Sequence, residues 1–152
     1  MYVSALPFPM GTLYISADER AITALSARAP ADPGAENDLT RRCADALRAY
    51  FGGGVFPAGF PLAPQGTVFQ KKVWNALLEI PFGQTCTYSE IASKLGRPAA
   101  ARAVGAAIGR NPIWLLIPGH RVLGKNGALT GYAGGLELKQ YFLELEKGHY
   151  HL

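Results

Sequence analysis

One segment of the chain combines a smooth helical surface with a single long cationic side chain. Residues 99–109 are almost entirely Ala and Gly, with Ala101, Ala103 and Gly105 around Arg102. Major-groove recognition helices present Asn, Gln, Arg or Ser, whereas a small-residue surface lets a backbone approach the narrow minor groove. Arg102 could fill the space left when a base rotates out of the stack. A tightly packed core helix would have the same composition, and the basic residues nearby favour DNA binding.

The charge of the chain is compatible with a polyanionic partner. The chain carries 15 Lys and Arg against 11 Asp and Glu, which gives a net charge of +4 and a pI near 9.2. An excess of this size permits nucleic-acid binding but is a weak signal alone, because scattered cations usually form a solvated surface. The following basic residues fall in the second half: Lys71, Lys72, Lys94, Arg97, Arg102, Arg110, Arg121 and Lys125.

Length and composition indicate a globular protein. The 152 residues suit one domain or two small ones, and the apolar share of 49% is sufficient for a core. No apolar run is long enough to span a bilayer, and the N-terminal residues lack the basic start of a signal peptide. We expect a soluble cytoplasmic protein without a membrane partner.

The thiols and the tail histidines do not indicate a disulfide or a metal site. Cys43 and Cys86 form no Cys-x-x-Cys pair, so we expect free buried thiols in a reducing compartment. His149 and His151 lie in a C-terminal tail, where histidines are more often solvated than metal-bound. We assign no metal.

The first half of the chain predicts a small antiparallel meander and one helix. Alternating β-favouring residues occur in three short runs, and apolar residues then recur at helical spacing until three glycines. Pro and Gly are frequent from Pro57 to Gly66, which marks the expected domain boundary. The predicted strands are Met1 to Leu6, Thr12 to Ala17 and Ala21 to Ser26, and the predicted helix is Leu39 to Phe51.

The second half is expected to be mostly helical. Capping boxes begin at Thr67 and Thr87, and the second opens a short helix to Leu95. A Gly-Arg-Pro turn then leads to the Ala- and Gly-rich helix of residues 99–109. Two short helices joined by such a turn are typical of a helix-turn-helix. The other predicted elements are a helix from Pro98, at its first position, to about Arg110, a strand at Leu115 to Ile117, and a final helix at Leu136 to Glu146.

Several motifs in this half, in order, resemble the O6-alkylguanine-DNA alkyltransferases, also called methylated-DNA–protein-cysteine methyltransferases. The resemblance covers Phe69 to Glu146. It implies an α+β fold with two domains. Residues 1–66, which resemble the family only loosely, would form a ribonuclease-H-like domain and linker. Residues 67–152 would form a winged-helix-like DNA-binding and alkyl-transfer domain. The motifs are Ile80–Thr85, Thr87–Ala92, Ala101–Gly105, Asn111–Pro112, Pro118–Val122 and Leu129–Leu136.

The resemblance also implies roles in alkyl transfer. In this family a cysteine thiolate attacks the alkyl carbon on O6 of guanine, and its position here is residue 119. His120 matches the base that acts through a water, Glu146 the carboxylate that orients it, and Asn111 the residue that supports the turn.

Further positions match the family's lesion-handling residues. Tyr88 matches the tyrosine that helps rotate the nucleotide and can donate to the leaving guanine, and Arg102 matches the arginine that replaces the flipped base. Residues 132–135, which include Tyr132, Ala133 and Gly134, match the loop that closes over the alkyl group. Val122 is expected to offer main-chain contacts to the base. Trp114 departs from the small residue or proline common in the family and could reshape the pocket wall.

The central departure is Gly119, where the family signature Pro-Cys-His-Arg-Val has its cysteine. Glycine has no nucleophile, and neither Cys43 nor Cys86 is placed to substitute, so alkyl transfer to this position should be lost while lesion binding is retained. Two explanations are open: an alkyltransferase whose nucleophile was removed by engineering, or a natural alkyltransferase-like protein that binds lesions without repair. The natural proteins usually carry Trp here and often lack much of the N-terminal domain, which favours the first explanation.

The implied partner is double-stranded DNA that contains O6-alkylguanine, bound through its minor groove. No cofactor is implied, because the lesion itself is the alkyl donor, and we expect a monomer that could bind cooperatively along DNA. A sequence-specific helix-turn-helix regulator is the rival from another class, and the Ala and Gly content of the recognition helix disfavours it.

Overall fold

The computed structural model describes residues 1–32 and 34–147, which form an α+β fold with two compact units. The first unit contains residues 1–65 and the short segment 112–114. The second contains residues 66–111 and 115–147. Within the described ranges, no helix combines the length and apolarity needed to cross a membrane. His149 and His151 lie outside these ranges.

A three-stranded antiparallel sheet forms the base of the first unit. The strands are β1 (Tyr2–Phe8), β2 (Gly11–Ala17) and β3 (Ile22–Ser26), in that order across the sheet. Tyr2 pairs with Ala17 and Phe8 with Gly11, so β1 and β2 form a tight hairpin. The predicted meander is confirmed, because alternating apolar residues place one face of each strand in the core.

Helix α1 (Asp38–Phe51) confirms the predicted helix, and it packs against this sheet. Asn37 and Thr40 form a reciprocal capping box, in which the Asn37 side chain accepts from the Thr40 amide at 2.8 Å. The helix ends at Gly52. Its buried residues recur at helical spacing: Leu39, Thr40, Cys43, Ala44, Leu47, Tyr50 and Phe51.

The segment 112–114 hydrogen-bonds to β3 in the first unit. Leu25 donates to the Pro112 carbonyl at 2.9 Å, and Trp114 donates to the Leu25 carbonyl at 2.8 Å. The chain then turns, because Leu115 has a left-handed φ of 68°. The predicted strand at Leu115 to Ile117 is therefore wrong: these apolar residues are buried in a turn rather than paired in a sheet.

Four helices dominate the second unit: α2 (Val68–Leu77), α3 (Tyr88–Lys94), α4 (Ala101–Gly109) and α5 (Leu136–Glu146). Both predicted capping boxes, at Thr67 and Thr87, are present. The buried Trp74 indole donates to the Ala107 carbonyl at 2.9 Å and joins α2 to α4. Two short parallel strands, β4 (Cys86–Thr87) and β5 (Val122–Leu123), complete the unit.

The connection between α3 and α4 differs from the prediction at one end. Gly96 adopts a left-handed φ of 74° and ends α3. The Ala100 amide then bonds to the Arg97 carbonyl at 2.9 Å, which makes a turn of Arg97 to Ala100. Pro98 lies in this turn, and α4 begins at Ala101, so the prediction of Pro98 at the first helical position is wrong.

The cap of α3 gives a test of this local structure. Replacement of Thr87 by Ala removes the side chain that accepts from the Glu90 amide at 3.2 Å, which should lower the free energy of unfolding by about 1 kcal/mol. Urea denaturation followed by circular dichroism would measure it. Thr85→Ala, in the same exposed loop, is the matched control. Equal stability of the two variants would contradict the capping role.

Candidate active site

A buried carboxylate joins two neighbouring residues of a short 3-10 helix. This 3-10 helix spans Gly119–Arg121, directly before β5. His120 Nε2 lies 2.8 Å from Glu146 Oε2, and Arg121 donates from Nε to Glu146 Oε1 at 2.8 Å and from Nη2 to Oε2 at 3.0 Å. The relative exposures are 0% for His120, 2% for Arg121 and 8% for Glu146. Helix α5 therefore ends in a fully internal charge network.

Arg121 is a structural member of the site that the sequence interpretation missed. Its place among the basic residues of the second half suggests a surface cation, but its Nη1 donates to the Ile80 carbonyl at 2.8 Å, and the side chain is buried. The two parallel hydrogen bonds of a bidentate Arg–carboxylate pair fix the orientation of the guanidinium group. The sequence signal for its burial is that this arginine lies inside the apolar stretch that contains Ile117 and Val122.

The environment of His120 keeps its imidazole neutral. Burial lowers the pKa of His120, Arg121 and Lys139 lower it further, and the hydrogen bond to Glu146 opposes the shift. Because a carboxylate only accepts, Nε2 carries the proton that faces Glu146. Nδ1 is then the acceptor of the ring, and no polar group of the described residues hydrogen-bonds to it.

The turn that holds Gly119 admits a Cβ atom if Ile108 gives way slightly. Asn111 donates from Nδ2 to the Ile117 carbonyl at 2.8 Å, and the Gly119 amide bonds to the same carbonyl at 2.8 Å. The φ of Gly119 is outside the left-handed region. A Cβ at this position would lie 3.1 Å from Ile108 Cγ2 and 3.8 Å from Tyr132 Cε1, so Ile108 would shift by a few tenths of an ångström. The backbone therefore does not require glycine.

A cavity of about 480 Å³ lies between α4 and the loop that precedes α5. It brings together many of the predicted residues: Tyr88, Ala101, Arg102, Gly105, Tyr132 and Ala133. The size and the apolar character of the small side chains suit a planar aromatic ring.

Eight predicted residues do not line this cavity: Gly119, His120, Glu146 and Asn111, which belong to the buried site described above, and four of the predicted DNA-binding and pocket residues. Val122 is fully buried in β5, and Trp114 belongs to the segment paired with β3. Ala103 lines a separate groove with α2 residues. Gly134 is half-buried in the loop that the cavity borders.

Lys139 is a second residue that the sequence interpretation missed. Its Nζ donates to the Thr130 carbonyl at 2.6 Å and lies 3.5 Å from the Tyr88 hydroxyl, which also accepts from Thr130 Oγ1 at 3.0 Å. Burial lowers the pKa of Lys139 to about 8. Lys139 is one helical turn from the buried Phe142. A lysine on the apolar face of α5 is therefore the sequence signal for an internal cation.

The two cysteines are free and poorly suited to act as nucleophiles. Cys43 is buried in α1 and Cys86 is half-buried in β4. Burial raises the pKa of Cys43 to about 12; burial, aided by the Glu90 carboxylate, raises that of Cys86 to about 11. Both thiols are therefore protonated near neutral pH, and a thiol reacts through its thiolate.

The shared carboxylate should dominate the stability of the second unit. Glu146→Gln leaves Arg121 buried without its counter-charge, so the free energy of unfolding should fall by about 3 kcal/mol. Urea denaturation would measure this. Glu137→Gln, on the exposed first turn of the same helix, is the control. A loss no larger than that of Glu137→Gln would show that the pair is not an essential interaction.

Comparison with known proteins identifies the family. Residues 68–148 match the model of the 6-O-methylguanine DNA methyltransferase DNA-binding domain, and residues 1–64 match the ribonuclease-like domain of the same methyltransferases. A methylated-DNA–protein-cysteine methyltransferase of Methanosarcina acetivorans is 45% identical over 154 residues, which cover 96% of this chain and 98% of that protein. A relative of the same name from Haemophilus influenzae is 41% identical over 155 residues, 97% of this chain and 87% of that protein.

The fold agrees with these matches. The crystal structure of Mycobacterium tuberculosis OGT in complex with DNA is similar with a TM-score of 0.90 and 39% sequence identity, over 99% of this chain and 96% of that one. A second crystal structure, of the O6-methylguanine methyltransferase from the same organism, has a TM-score of 0.86 and 40% identity, over 97% and 93% of the two chains. The chain belongs to the methylated-DNA–protein-cysteine methyltransferase family of DNA repair proteins.

Proposed function

We propose that this protein binds duplex DNA through the minor groove and rotates an O6-alkylated guanine into the cavity beside Tyr88. The alkyl group would face position 119, where glycine cannot accept it. The strongest support is that Gly119 directly precedes His120, which is paired with Glu146, while a Cβ at position 119 would lie 3.8 Å from Tyr132, a residue of the cavity wall. The protein is thus an alkyltransferase scaffold that recognises the lesion and does not transfer its alkyl group to itself.

Helix α4 supplies the surface proposed to meet DNA. Ala103 and Arg102 are exposed, while Ala101 and Gly105 are half-exposed, so the helix offers little bulk beyond the arginine. Small residues permit the close approach that minor-groove binding requires, and the guanidinium can replace the rotated base in the stack. The M. tuberculosis structure was determined in complex with DNA, which supports the same partner for this chain.

The cavity contacts suit a leaving guanine. The Tyr88 hydroxyl lies at the cavity and accepts from Thr130 Oγ1, with the Lys139 ammonium 3.5 Å away. The hydroxyl carries a proton at the cavity, so Tyr88 can donate it to the guanine as the O6–carbon bond breaks. Lys139 would act as a positioning residue through Tyr88 and Thr130.

The residue at position 119 decides whether transfer follows binding. With cysteine there, Nδ1 of neutral His120 would take the thiol proton through a water, and the thiolate would attack the alkyl carbon. The electron pair of the broken carbon–oxygen bond would remain on guanine, which takes a proton from Tyr88. With glycine the first step has no nucleophile, and Cys43 and Cys86 do not replace it because both are protonated near neutral pH.

The alternative function is that of a natural lesion-sensing protein, which also does not transfer the alkyl group to itself. The inactive alkyltransferase and the lesion-sensing protein both require selective binding of the lesion. A helix-turn-helix regulator instead requires preference for a particular undamaged sequence. The exposed Ala and Gly residues of α4 offer no base-reading hydrogen bonds, which disfavours the regulator.

Restoration of the nucleophile tests the proposed function. After incubation with O6-methylguanine duplex, Gly119→Cys should gain the mass of one methyl group, because Ile108 need shift only slightly to admit the side chain. Intact-mass spectrometry would measure the gain. The unaltered chain and Gly119→Ser, whose hydroxyl is a weak nucleophile near neutral pH, should gain none. If Gly119→Cys binds the lesion duplex but gains no mass, the pocket is not an alkyl-transfer site.

The proposed base-replacing role of Arg102 predicts a specific loss of affinity. Arg102→Ala should weaken binding to O6-methylguanine duplex by about tenfold, which corresponds to about 1.4 kcal/mol. Fluorescence anisotropy at fixed salt would measure it. Arg41→Ala removes the same charge from an exposed position on α1 and should change the affinity much less. Equal effects of the two variants would show that only net charge matters.

A further inference from the structure

We propose that a groove between α2 and α4 receives the sugar-phosphate backbone of the undamaged DNA strand, and that Arg110 contacts a phosphate of that strand. This inference rests on the proposed function, since the guanine seated in the cavity beside Tyr88 defines which strand carries the lesion. It goes beyond that function by assigning the second strand of the duplex to a surface separate from the lesion cavity.

Helix α4 has two lining faces with an exposed ridge between them. The lesion cavity takes one face, and a separate groove of about 450 Å³ takes the other. At 3.6 residues per turn, the two sets of residues point to roughly opposite sides of the helix. The cavity face contains Ala101, Gly105 and Gly109, and the groove face contains Ala103, Ala106, Ala107 and Arg110.

The two faces of α4 would meet different strands of the duplex. The backbones of both strands border the minor groove, so a helix that lies along this groove has one backbone on each side. The strand that turns its alkylated guanine into the cavity has to lie on the cavity side of α4. The undamaged strand would then lie over the other face, where Ala103, Ala106 and Arg110 line the groove.

The groove has the charge that a phosphate needs. Arg110, the C-cap of α4, is exposed, and the described residues that line the groove include no acid. The guanidinium carbon of Arg97 lies 5.6 Å from the ring centre of Phe69, which also lines the groove. Within residues 1–32 and 34–147, neither arginine forms a salt bridge. Both cations are therefore available to DNA phosphates.

The start of α2 adds to the positive field of the groove. Thr67 and Gln70, which form its capping box, both line the groove. The first turn of α2 contains no acidic residue, and the exposed Lys71 follows it. A cation close to a helix N-terminus is electrostatically unfavourable, because the helix dipole already places positive charge there. A DNA phosphate at the groove would offset this arrangement.

Removal of the Arg110 charge tests the phosphate contact. Arg110→Ala should weaken binding to O6-methylguanine duplex by about fivefold at about 0.15 M salt, and should reduce the slope of log affinity against log salt by about 1. Fluorescence anisotropy over a salt series would measure both. Arg41→Ala, at an exposed position on α1, is the control and should leave the slope unchanged. An unchanged slope for Arg110→Ala would overturn the proposal.

Neutral linkages in the DNA test which strand Arg110 contacts. Methylphosphonates would be placed one at a time along the undamaged strand opposite O6-methylguanine. At the contacted phosphate, the linkage should weaken binding of the unaltered chain by about fivefold and barely affect Arg110→Ala, which has no contact left to lose. Linkages in the lesion strand should weaken both proteins equally. A difference between the proteins only in the lesion strand, or in neither strand, would overturn the strand assignment.

A bulky side chain tests whether DNA covers the groove. Ala106→Leu narrows the groove without a change in charge, and leucine is nearly as favourable in a helix as alanine. The affinity for O6-methylguanine duplex should fall by about fivefold or more, with an unchanged circular dichroism spectrum. Ala49→Leu makes the same change at an exposed position on α1 and should leave the affinity unaltered. Full affinity of Ala106→Leu would show that DNA does not cover the groove.

Failure of this inference is distinguishable from failure of the proposed function. If Gly119→Cys gains a methyl group but Arg110→Ala and Ala106→Leu bind the lesion duplex like the unaltered chain, only the groove assignment is wrong. If Gly119→Cys gains no methyl group and the lesion duplex is not preferred, the proposed function is wrong. The strand assignment then fails with it, because no lesion defines the two strands.

Discussion

The second unit depends on one carboxylate that must satisfy two buried partners at once. Glu146 accepts hydrogen bonds from Arg121 through both carboxylate oxygens and from His120 through one of them. None of the three side chains has appreciable solvent contact. An arginine buried without its counter-charge is strongly destabilising, so the end of α5 and the 3-10 helix at residue 119 have to stay together. The bond from Arg121 to the Ile80 carbonyl extends this constraint to the chain beyond α2.

This constraint explains how a nucleophile can be absent while its surroundings remain. The position of His120 is fixed by Glu146 and not by any group on residue 119. The turn is held by Asn111 through the Ile117 carbonyl, which also involves no side chain at residue 119. Glycine at this position therefore leaves in place the interactions that build the site, and the proposed loss of alkyl transfer needs no rearrangement of it.

Local signals in the sequence predicted much of the fold. The capping boxes at Thr67 and Thr87, the meander and α5 form as expected because each depends on contacts within a few residues. One failure is local, since the turn of Arg97 to Ala100 moves the start of α4 beyond Pro98. The other failures depend on long-range contacts. The apolar run at Leu115 to Ile117 is buried without pairing. Arg121 is internal because it pairs with Glu146, and Lys139 is internal where it meets the Tyr88 hydroxyl, partners that are 25 and 51 residues away in the sequence. The roles proposed for Tyr88, Arg102 and Tyr132 came from the family resemblance and stay predictions.

The most direct test of the account is the affinity of the unaltered chain for DNA with and without the lesion. Competition anisotropy would compare O6-methylguanine duplex with a duplex of identical sequence that contains guanine, at one fixed salt concentration. A scaffold that has lost only its nucleophile should prefer the lesion duplex by about tenfold or more, because the cavity is intact. Equal affinity for the two duplexes would contradict lesion recognition and would leave only general DNA binding.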